Sequence, residues 1–305
     1  MSTHPVLLPA HTVRPVGRFA PSPTGPLHFG SLLAALASYV DIRARRGCWL
    51  VRIEDLDPPR EQPGAADHIL HTLDAFGLHW DGPVVYQSQR HDLYHAALDQ
   101  LRQQGQAYLC NCSRKQLRQR DVQGYDGHCL RHPPDNTGDC AVRVGHPPGR
   151  QTFIDRIQGQ RLYSWQGHEG DFVVFRRDGL FAYQLAVVVD DADQGVTEVL
   201  RGSDLIDETP HQLLLQSCLD YPLPGYAHIP VILNPAGQKL SKQNLAPAIH
   251  ADQRLQLLIR ALELLGQAPP PELLDAQLEE LLHWAVEHWD INRIPDVLSL
   301  PQQEA

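Results

Sequence analysis

The sequence predicts an α/β fold with a parallel sheet, an inserted segment and a small helical unit at the C-terminal end. Three observations predict this fold. The chain opens with strand, turn, helix and strand patterns in that order. From about residue 107 to 177, a stretch rich in glycine, proline, aspartate and arginine interrupts this rhythm, and the α/β pattern then returns. After residue 246 the periodicity is mostly helical.

The first part of the sheet is predicted from alternating apolar strands and amphipathic helices. A Pro- and Gly-rich turn at residues 21–26 joins the first strand to the first helix. The predicted strands are Val16–Ala20 and Cys48–Ile53, and the predicted helices are Ser31–Arg46, Pro63–Phe76 and His91–Gln104.

The remaining elements follow the same patterns. Two short strands are predicted in the insertion, Ala141–Val144 and Phe172–Phe175. The α/β pattern resumes with the segments Ala182–Asp190 and Glu198–Arg201, the helix Thr209–Leu219 and the strand His228–Leu233. In the C-terminal unit, helical segments are predicted at Leu255–Leu265, Leu273–Glu287 and Pro295–Leu300.

Four units are expected from these patterns. Residues 1–105 and 182–245 form the two halves of an α/β domain, residues 106–181 form the insertion, and residues 246–305 form the helical unit. The composition limits the class of protein to which this chain can belong. The chain has 305 residues with 42% hydrophobic side chains, enough for a sizeable core. Its apolar runs are too short to span a bilayer, and we see no secretory signal, so a cytoplasmic protein that does not enter membranes is expected.

Charge is unevenly distributed along the chain. The formal net charge is −10, which by itself argues against a nucleic-acid partner. Residues 100–180 nevertheless carry twelve basic and eight acidic side chains, whereas residues 251–305 carry three and ten. A polyanion can therefore approach the middle of the chain, although an ordinary solvated surface would show the same counts.

The cysteines indicate a metal site in the insertion. Four of the six, Cys110, Cys112, Cys129 and Cys140, lie within about thirty residues. In a reducing compartment such clustering favours a metal over disulfides, although reduced cysteines without metal are the alternative. Structural zinc takes four ligands. The spacing leaves the fourth ligand open among Tyr125, His128, His132 and Cys140.

Two segments have the composition of phosphate-binding loops. In the first, the segment Arg18–Ser31, a strand leads through a Gly/Pro turn into a helix start that carries His28 and Gly30. In the second, Lys239 and Lys242 lie three residues apart after a strand and a turn, and can stabilise charge on a nucleotide phosphate. A structural turn and a solvated loop are the respective alternatives.

Together these segments closely resemble the class I aminoacyl-tRNA synthetases, specifically the glutamyl branch. Residues 23–30 (PTGPLHFG) match that branch's form of the HIGH signature, with Ser31 in place of the last His. Residues 239–243 (KLSKQ) match the KMSKS signature, with Gln243 in place of the last Ser. Two further motifs, residues 52–57 (RIEDLD) and 200–205 (LRGSDL), follow the family order, so the resemblance covers roughly residues 16–243.

The resemblance implies which residues bind the substrates. It implies an ATP site at the two signatures and a glutamate site whose carboxylates meet Arg18 and Arg201 and whose ammonium meets Glu54. A structural ion pair between Arg201 and Asp204 is the alternative for Arg201. The residues implied for glutamate are Arg18, Phe19, Ala20, Pro21, Ser22, Glu54, Tyr183 and Arg201, and those implied for ATP are His28, Gly30, Ser31, Lys239, Ser241 and Lys242.

The resemblance also implies a Rossmann-like class I synthetase fold, a ligase reaction and the cofactors of that reaction. Glutamate attacks the α-phosphate of ATP, giving glutamyl-adenylate and pyrophosphate, and Mg²⁺ accompanies the nucleotide. One structural zinc ion is implied at Cys110, Cys112, Tyr125 and Cys129.

Only 62 residues follow Gln243, too few for the anticodon-binding domain of full glutamyl-tRNA synthetases. This pattern resembles the glutamyl-Q tRNA(Asp) synthetase family, which transfers glutamate to queuosine at the wobble position. The implied partners are L-glutamate, ATP and the tRNA(Asp) anticodon loop, with no obligate protein partner. The basic segment Arg114–Arg120 is a candidate RNA contact. The alternatives are charging of a tRNA 3′ end, a ligase with a non-RNA acceptor, and a protein that only binds tRNA.

Overall fold

A computed structural model of the chain describes residues 14–120, 124–136, 138–234, 237 and 247–301. No helix in these residues is long and apolar enough to cross a membrane. The strands are β1 (Val16–Phe19), β2 (Cys48–Ile53), β3 (Val85–Tyr86), β4 (Ala107–Cys110), β5 (Ala141–Val144), β6 (Gly149–Asp155), β7 (Gly159–Trp165), β8 (Phe172–Phe175), β9 (Glu198–Gly202), β10 (Gly225–Ile229), β11 (Val231–Leu233) and β12 (Ser299–Pro301). The α-helices are α1 (Phe29–Ala44), α2 (Ala65–Ala75), α3 (His91–Gln103), α4 (Arg114–Gln119), α5 (His128–Arg131), α6 (Tyr183–Asp193), α7 (Thr209–Leu219), α8 (Arg254–Leu264) and α9 (Leu278–Glu287).

The largest sheet in the described residues has seven strands in the order β3-β2-β1-β9-β10-β6-β7. Its pairings are parallel except for the β6–β7 hairpin. Parallel neighbours require crossover connections, which here run through helices such as α1 between β1 and β2. The predicted α/β fold with a parallel sheet is therefore confirmed.

The inserted segment is divided between two sheets. Strands β4, β5 and β8 form a small antiparallel sheet of their own. The hairpin β6–β7 instead extends the large sheet, because Asp155 at the end of β6 pairs with Tyr226 of β10. The insertion thus reaches the catalytic sheet, which the sequence patterns did not predict. The boundaries of the four units stay predictions.

The core lies where α1 crosses the sheet. A Cβ atom at Gly17 of β1 would lie 2.3 Å from Cγ1 of Ile42, so only glycine permits this close approach. Trp49 is fully buried beside it, and its indole N–H donates to Ser38 Oγ at 3.0 Å. Buried leucines of α8 and α9 belong to the same hydrophobic cluster, so the C-terminal helices pack on the catalytic core.

Three predicted elements are wrong in type or extent. The predicted strand His228–Leu233 is two strands, which separate at Pro230 because proline has no backbone N–H to donate. The predicted helix Leu273–Glu287 is a 3₁₀ turn at Pro271–Leu274 followed by α9. The segment predicted as helical at Pro295–Leu300 contains the start of β12, since pairing with β11 outweighs its local propensity.

Candidate active site

A cleft of about 700 Å³ opens at the carboxyl ends of β1, β2, β9 and β10. The ends of parallel strands are the usual ligand-binding edge of an α/β sheet. Every residue predicted for glutamate or ATP that lies among the described residues lines this cleft. These residues are Arg18, Phe19, Ala20, Pro21, Ser22, His28, Gly30, Ser31, Glu54, Tyr183 and Arg201. Lys239, Ser241 and Lys242 lie outside the described residues.

The turn after β1 brings the N-terminus of α1 to the cleft. Gly25 in this turn has a φ of 136°, a conformation that side-chain-bearing residues rarely adopt. His28 is the N-cap of α1, and its Nδ1 accepts a hydrogen bond from the Ser31 amide at 3.3 Å. The first turn of a helix carries partial positive charge, so this wall of the cleft favours an anion.

Arg18 is held by a buried carboxylate. Its Nε donates to Asp191 at 3.2 Å, and Arg52 donates to the same carboxylate at 2.7 Å. Burial raises the pKa of Asp191, but the two guanidinium groups outweigh burial and hold this pKa below its usual range. Asp191 is therefore ionised and fixes Arg18 against the floor of the cleft.

Glu54 is a buried carboxylate with an unused oxygen. Among the described residues, its Oε1 has no hydrogen-bond partner, and the nearest cationic atom is Arg52 Nη2 at 3.8 Å. Burial raises the pKa of Glu54 to about 7, against the opposing effect of Arg52 and Arg18. An unpartnered carboxylate oxygen in a cleft wall is suited to a ligand ammonium group.

Arg201 is buried among neutral partners. Its Nε donates to His228 Nε2 at 3.0 Å, its Nη1 to Tyr183 Oη at 3.3 Å, and its Nη2 to Thr209 Oγ1 and the Leu205 carbonyl. Only 5% of the residue is exposed. Within the described part of the chain, no carboxylate forms an ion pair with this guanidinium, so the Asp204 alternative has no support there.

Tyr183 can extend the Arg201 contact to a ligand. Its oxygen accepts from Arg201 Nη1, which leaves its own hydroxyl hydrogen available to donate. Burial raises the pKa of Tyr183, so the hydroxyl stays protonated at neutral pH. Arg201 and Tyr183 together therefore present donors and positive charge to the cleft, which suits a carboxylate.

The predicted metal residues meet in a second site within the insertion. The Sγ atoms of Cys110, Cys112 and Cys129 lie within 4.8 Å of one another, and those of Cys112 and Cys129 are 3.3 Å apart. Tetrahedral zinc with sulfur bonds of about 2.3 Å requires sulfur atoms roughly 3.8 Å apart. The separations within the cluster bracket this value, so the three thiols are close enough together to share a zinc ion.

Tyr125 lies closest to this cluster among the proposed fourth ligands. Its Oη is 3.5 Å from Cys110 Sγ and 3.8 Å from Cys112 Sγ. Cys140 instead donates to the carbonyl of Asn136, and His128, His132 and Cys140 do not belong to the cluster of ligand atoms among the described residues.

Sequence reasoning missed three buried residues behind the cleft: Asp191, His228 and Asp155. Asp191 could have been found from the sequence, because Asp190 and Asp191 follow directly after an apolar helical run. Burying a charge is costly, so acidic residues in such a place indicate a specific partner. His228 lies in an apolar strand and Asp155 at the end of another, and neither had a local signal.

The comparisons with known proteins agree with this geometry. The family model for tRNA synthetases class I (E and Q), catalytic domain, matches residues 15–276. The chain is 50% identical over 287 residues to the glutamyl-Q tRNA(Asp) synthetase of Vibrio cholerae serotype O1, covering 93% of each chain. It is 53% identical over 292 residues to that of Ectopseudomonas mendocina, covering 95% of this chain and 98% of the relative.

A solved structure supports the fold. It is a glutamate tRNA ligase from Elizabethkingia meningosepticum in complex with its amino acid, with a TM-score of 0.79 and 24% identity over 95% of this chain and 67% of that one. The predicted class I synthetase fold and ligase class are confirmed. The chain belongs to the class I glutamyl- and glutaminyl-tRNA synthetases and, among them, to the family of the glutamyl-Q tRNA(Asp) synthetases.

Proposed function

We propose that this enzyme activates L-glutamate with ATP and transfers it to the queuosine of tRNA(Asp). One observation carries the amino-acid part of this proposal. A single cleft contains a buried cation without a carboxylate partner in the described residues, Arg201, and a buried carboxylate with an unused oxygen, Glu54. A ligand with both a carboxylate and an ammonium group satisfies both needs.

Each end of glutamate has a complementary group in this cleft. Arg18 and Arg201, with the Tyr183 hydroxyl, bind the two carboxylates, and Glu54 accepts from the ammonium. Phe19, Ala20, Pro21 and Ser22 line the cleft beside them, and the Ser22 hydroxyl is a small additional donor. Glutamine would leave one guanidinium without an anion, which is a basis for selectivity.

The ATP phosphates bind where α1 begins. His28, Gly30 and Ser31 border the cleft at the positive end of that helix. Lys239, Ser241 and Lys242, which match the second signature, complete the phosphate site and stabilise charge on the α-phosphate. Mg²⁺ enters with the nucleotide as part of the substrate. The cleft positions the glutamate carboxylate for in-line attack, and pyrophosphate leaves.

The second step transfers the glutamyl group to RNA. A hydroxyl of queuosine attacks the adenylate carbonyl, an ester forms, and AMP leaves. The anticodon loop is the proposed partner because single-stranded loops expose bases to a protein cleft. In helix α4, Arg114, Lys115 and Arg118 are exposed and suited to RNA phosphates. Arg120 is occupied, since it pairs with Asp126 at 3.1 Å and donates to Cys112 Sγ.

A zinc ion in the cysteine cluster would stabilise this segment. Cys110, Cys112 and Cys129 would supply three thiolates, and Tyr125 would supply the fourth ligand. Helix α4 follows Cys112 directly, so a metal bound there fixes the start of the proposed RNA-binding helix. Its role is structural, because structural zinc sites have four protein ligands and no open position for chemistry.

Transfer of labelled glutamate separates this function from its alternatives. With ATP and magnesium, tRNA(Asp) that contains queuosine should accept one glutamate, whereas the same tRNA lacking queuosine should accept none. Periodate oxidation of the 3′-terminal ribose, with queuosine protected or reinstalled afterwards, tests the 3′ end directly. Label that depends on an intact 3′ end would indicate a minimal glutamyl-tRNA synthetase, and label on no RNA would contradict the proposed acceptor.

A further inference from the structure

Arg201 and His228 are cross-strand neighbours in the parallel pair β9–β10. Behind His228 lies Asp155, the last residue of β6 in the inserted hairpin. His228 Nδ1 is 2.5 Å from Asp155 Oδ2, and His228 Nε2 is 3.0 Å from Arg201 Nε. All three residues are at most 5% exposed. They form a buried chain from the insertion to the cleft.

The hydrogen bonds of this chain fix the tautomer of His228. Arg201 Nε–H can only donate, so the facing His228 Nε2 must be the acceptor. The proton of the neutral imidazole is then on Nδ1, where Asp155 accepts it. The other tautomer would place two N–H groups against each other at Arg201.

Charge and burial keep the imidazole neutral. The charged and titratable groups around it are Arg201 from β9, Asp155 from β6, the stacked ring of Tyr226 from β10 and, further away, Asp204 from the turn after β9. The neutral Thr209 hydroxyl also lies 3.4 Å from Nε2. Burial lowers the pKa of His228 to about 4, and the charge of Arg201 acts in the same direction, against the opposing effect of the hydrogen bond that His228 donates to Asp155. Arg201 is therefore held by a neutral group, whereas Arg18 is held by the Asp191 carboxylate.

The orientation of Asp155 is also fixed. Its Oδ1 accepts from the backbone amides of Ile157, Gln158 and His228, at 2.8–3.1 Å. Its Oδ2 is left to face the His228 ring. An asparagine in this place would keep its oxygen on the three amides and turn its NH₂ group toward His228 Nδ1, which would force the proton onto Nε2.

We propose that His228 and Asp155 are positioning residues that hold Arg201 by a neutral contact and so keep its positive charge available for a substrate carboxylate. This inference rests on the proposed function, because it takes Arg201 as a ligand of glutamate. Through Asp155, the inserted hairpin then determines the geometry of the amino-acid site in the catalytic sheet.

The tautomer of His228 in the ligand-free wild-type enzyme tests the arrangement directly. Imidazole ¹⁵N NMR, with the signal assigned by its loss in His228→Gln, should show a neutral ring protonated on Nδ1 from pH 8 to pH 5.5. In Asp155→Asn the proton should move to Nε2. A wild-type ring protonated on Nε2, or charged at pH 7, would overturn the proposal.

Kinetics test the consequence for glutamate. Glutamate-dependent pyrophosphate exchange should show a KM for glutamate that rises about ten- to a hundredfold in Asp155→Asn, the size of a lost hydrogen bond to a charged group. The exchange rate at saturating glutamate and the KM for ATP should change far less. Gln158→Ala is the matched control, since Gln158 bonds backbone carbonyls at the same junction without touching His228's ring or Arg201.

The proposed function and the positioning role of His228 and Asp155 can be disproved independently of each other. Wild-type enzyme without glutamate-dependent exchange would overturn the proposed function, and with it the role given to Arg201. Normal wild-type exchange together with an unchanged glutamate KM in folded Asp155→Asn would overturn the positioning role alone. A KM for glutamate that rises equally in Gln158→Ala would also overturn it, because the effect would then be a general one on the junction.

Discussion

The Nε atom of Arg18 lies 3.2 Å from the Oδ1 atom of Asp191, and both side chains are buried. The same oxygen accepts from the fully buried Arg52 at 2.7 Å. One carboxylate thus stabilises two buried cations at the base of the cleft. The removal of its charge would take from Arg18 the one carboxylate with which it forms an ion pair in the described residues, and from Arg52 the nearest of three.

Asp191→Asn should therefore lower the free energy of unfolding by about 3–5 kcal/mol. Asp193→Asn is the matched control on the same helix, since Asp193 pairs with Arg90 at 2.6 Å but is 51% exposed. Its loss should cost less than about 1 kcal/mol. Urea denaturation of both variants measures the difference. Equal effects would contradict the assignment of Asp191 as the buried anchor.

Glutamate binding should depend on pH through Glu54. Its pKa near 7 in the ligand-free protein means that it is protonated below neutrality and then lacks the negative charge that binds the substrate ammonium. The KM for glutamate should fall as pH rises toward 7 and level off above it, with a slope of about tenfold per pH unit on the acid side. Exchange kinetics at saturating ATP measure this slope.

Glu54→Gln is the control for this pH dependence. It should bind glutamate weakly and without the slope, because the amide does not titrate. His228, which lies behind the cleft, has its pKa lowered by burial to about 4, so its titration lies outside this pH window. A wild-type KM that is flat between pH 6 and pH 8 would mean that Glu54 does not bind the ammonium.

Arg201→Lys should raise the KM for glutamate about a hundredfold while the KM for ATP stays near its wild-type value. A lysine ammonium is a compact point charge and does not reproduce the planar fork whose three separate nitrogens reach His228, Tyr183 and Thr209. Arg45→Lys serves as control, because Arg45 pairs with Asp41 and Glu198 at the partly exposed side of the sheet. An unchanged KM in the Arg201 variant would disprove its role as a carboxylate ligand.

Purified protein should contain one zinc ion per chain. Cys112→Ser should lose the metal and melt at a lower temperature, because binding of a structural metal is coupled to folding. Cys140→Ser should retain the metal, since its thiol bonds the Asn136 carbonyl outside the cluster. Elemental analysis measures all three proteins. Absence of zinc from the wild type, or its loss from Cys140→Ser alone, would contradict the proposed ligand set.

The cleft could be predicted from sequence because its residues follow strand ends. Arg18 lies in β1, Glu54 directly follows β2, and Arg201 lies in β9, so a parallel sheet brings them to one edge. The cysteine cluster could be predicted for a similar reason, since its members are close along the chain. Local patterns thus indicated where both sites lie, whereas the family resemblance supplied the roles of the individual residues and the choice of Tyr125 as fourth zinc ligand.

The contact between Asp155 and His228 and the strand β12 could not be predicted from sequence, because both depend on strand pairings that no local pattern reveals. Asp155 and His228 are 73 residues apart, and their contact requires the inserted hairpin to join the large sheet beside β10. Strand β12 likewise exists only because Val231–Leu233 offers an edge to Ser299–Pro301. In both cases the tertiary partner, and not the propensity of the segment, determines the structure.

Glutamate-dependent exchange between ATP and pyrophosphate, measured with magnesium and without any RNA, tests the account most directly. We expect label to pass from pyrophosphate into ATP with glutamate and to fall to background with glutamine or without an amino acid. No exchange with glutamate, either alone or with tRNA(Asp) added, would contradict the claim that this cleft joins an acidic amino acid to the α-phosphate of ATP.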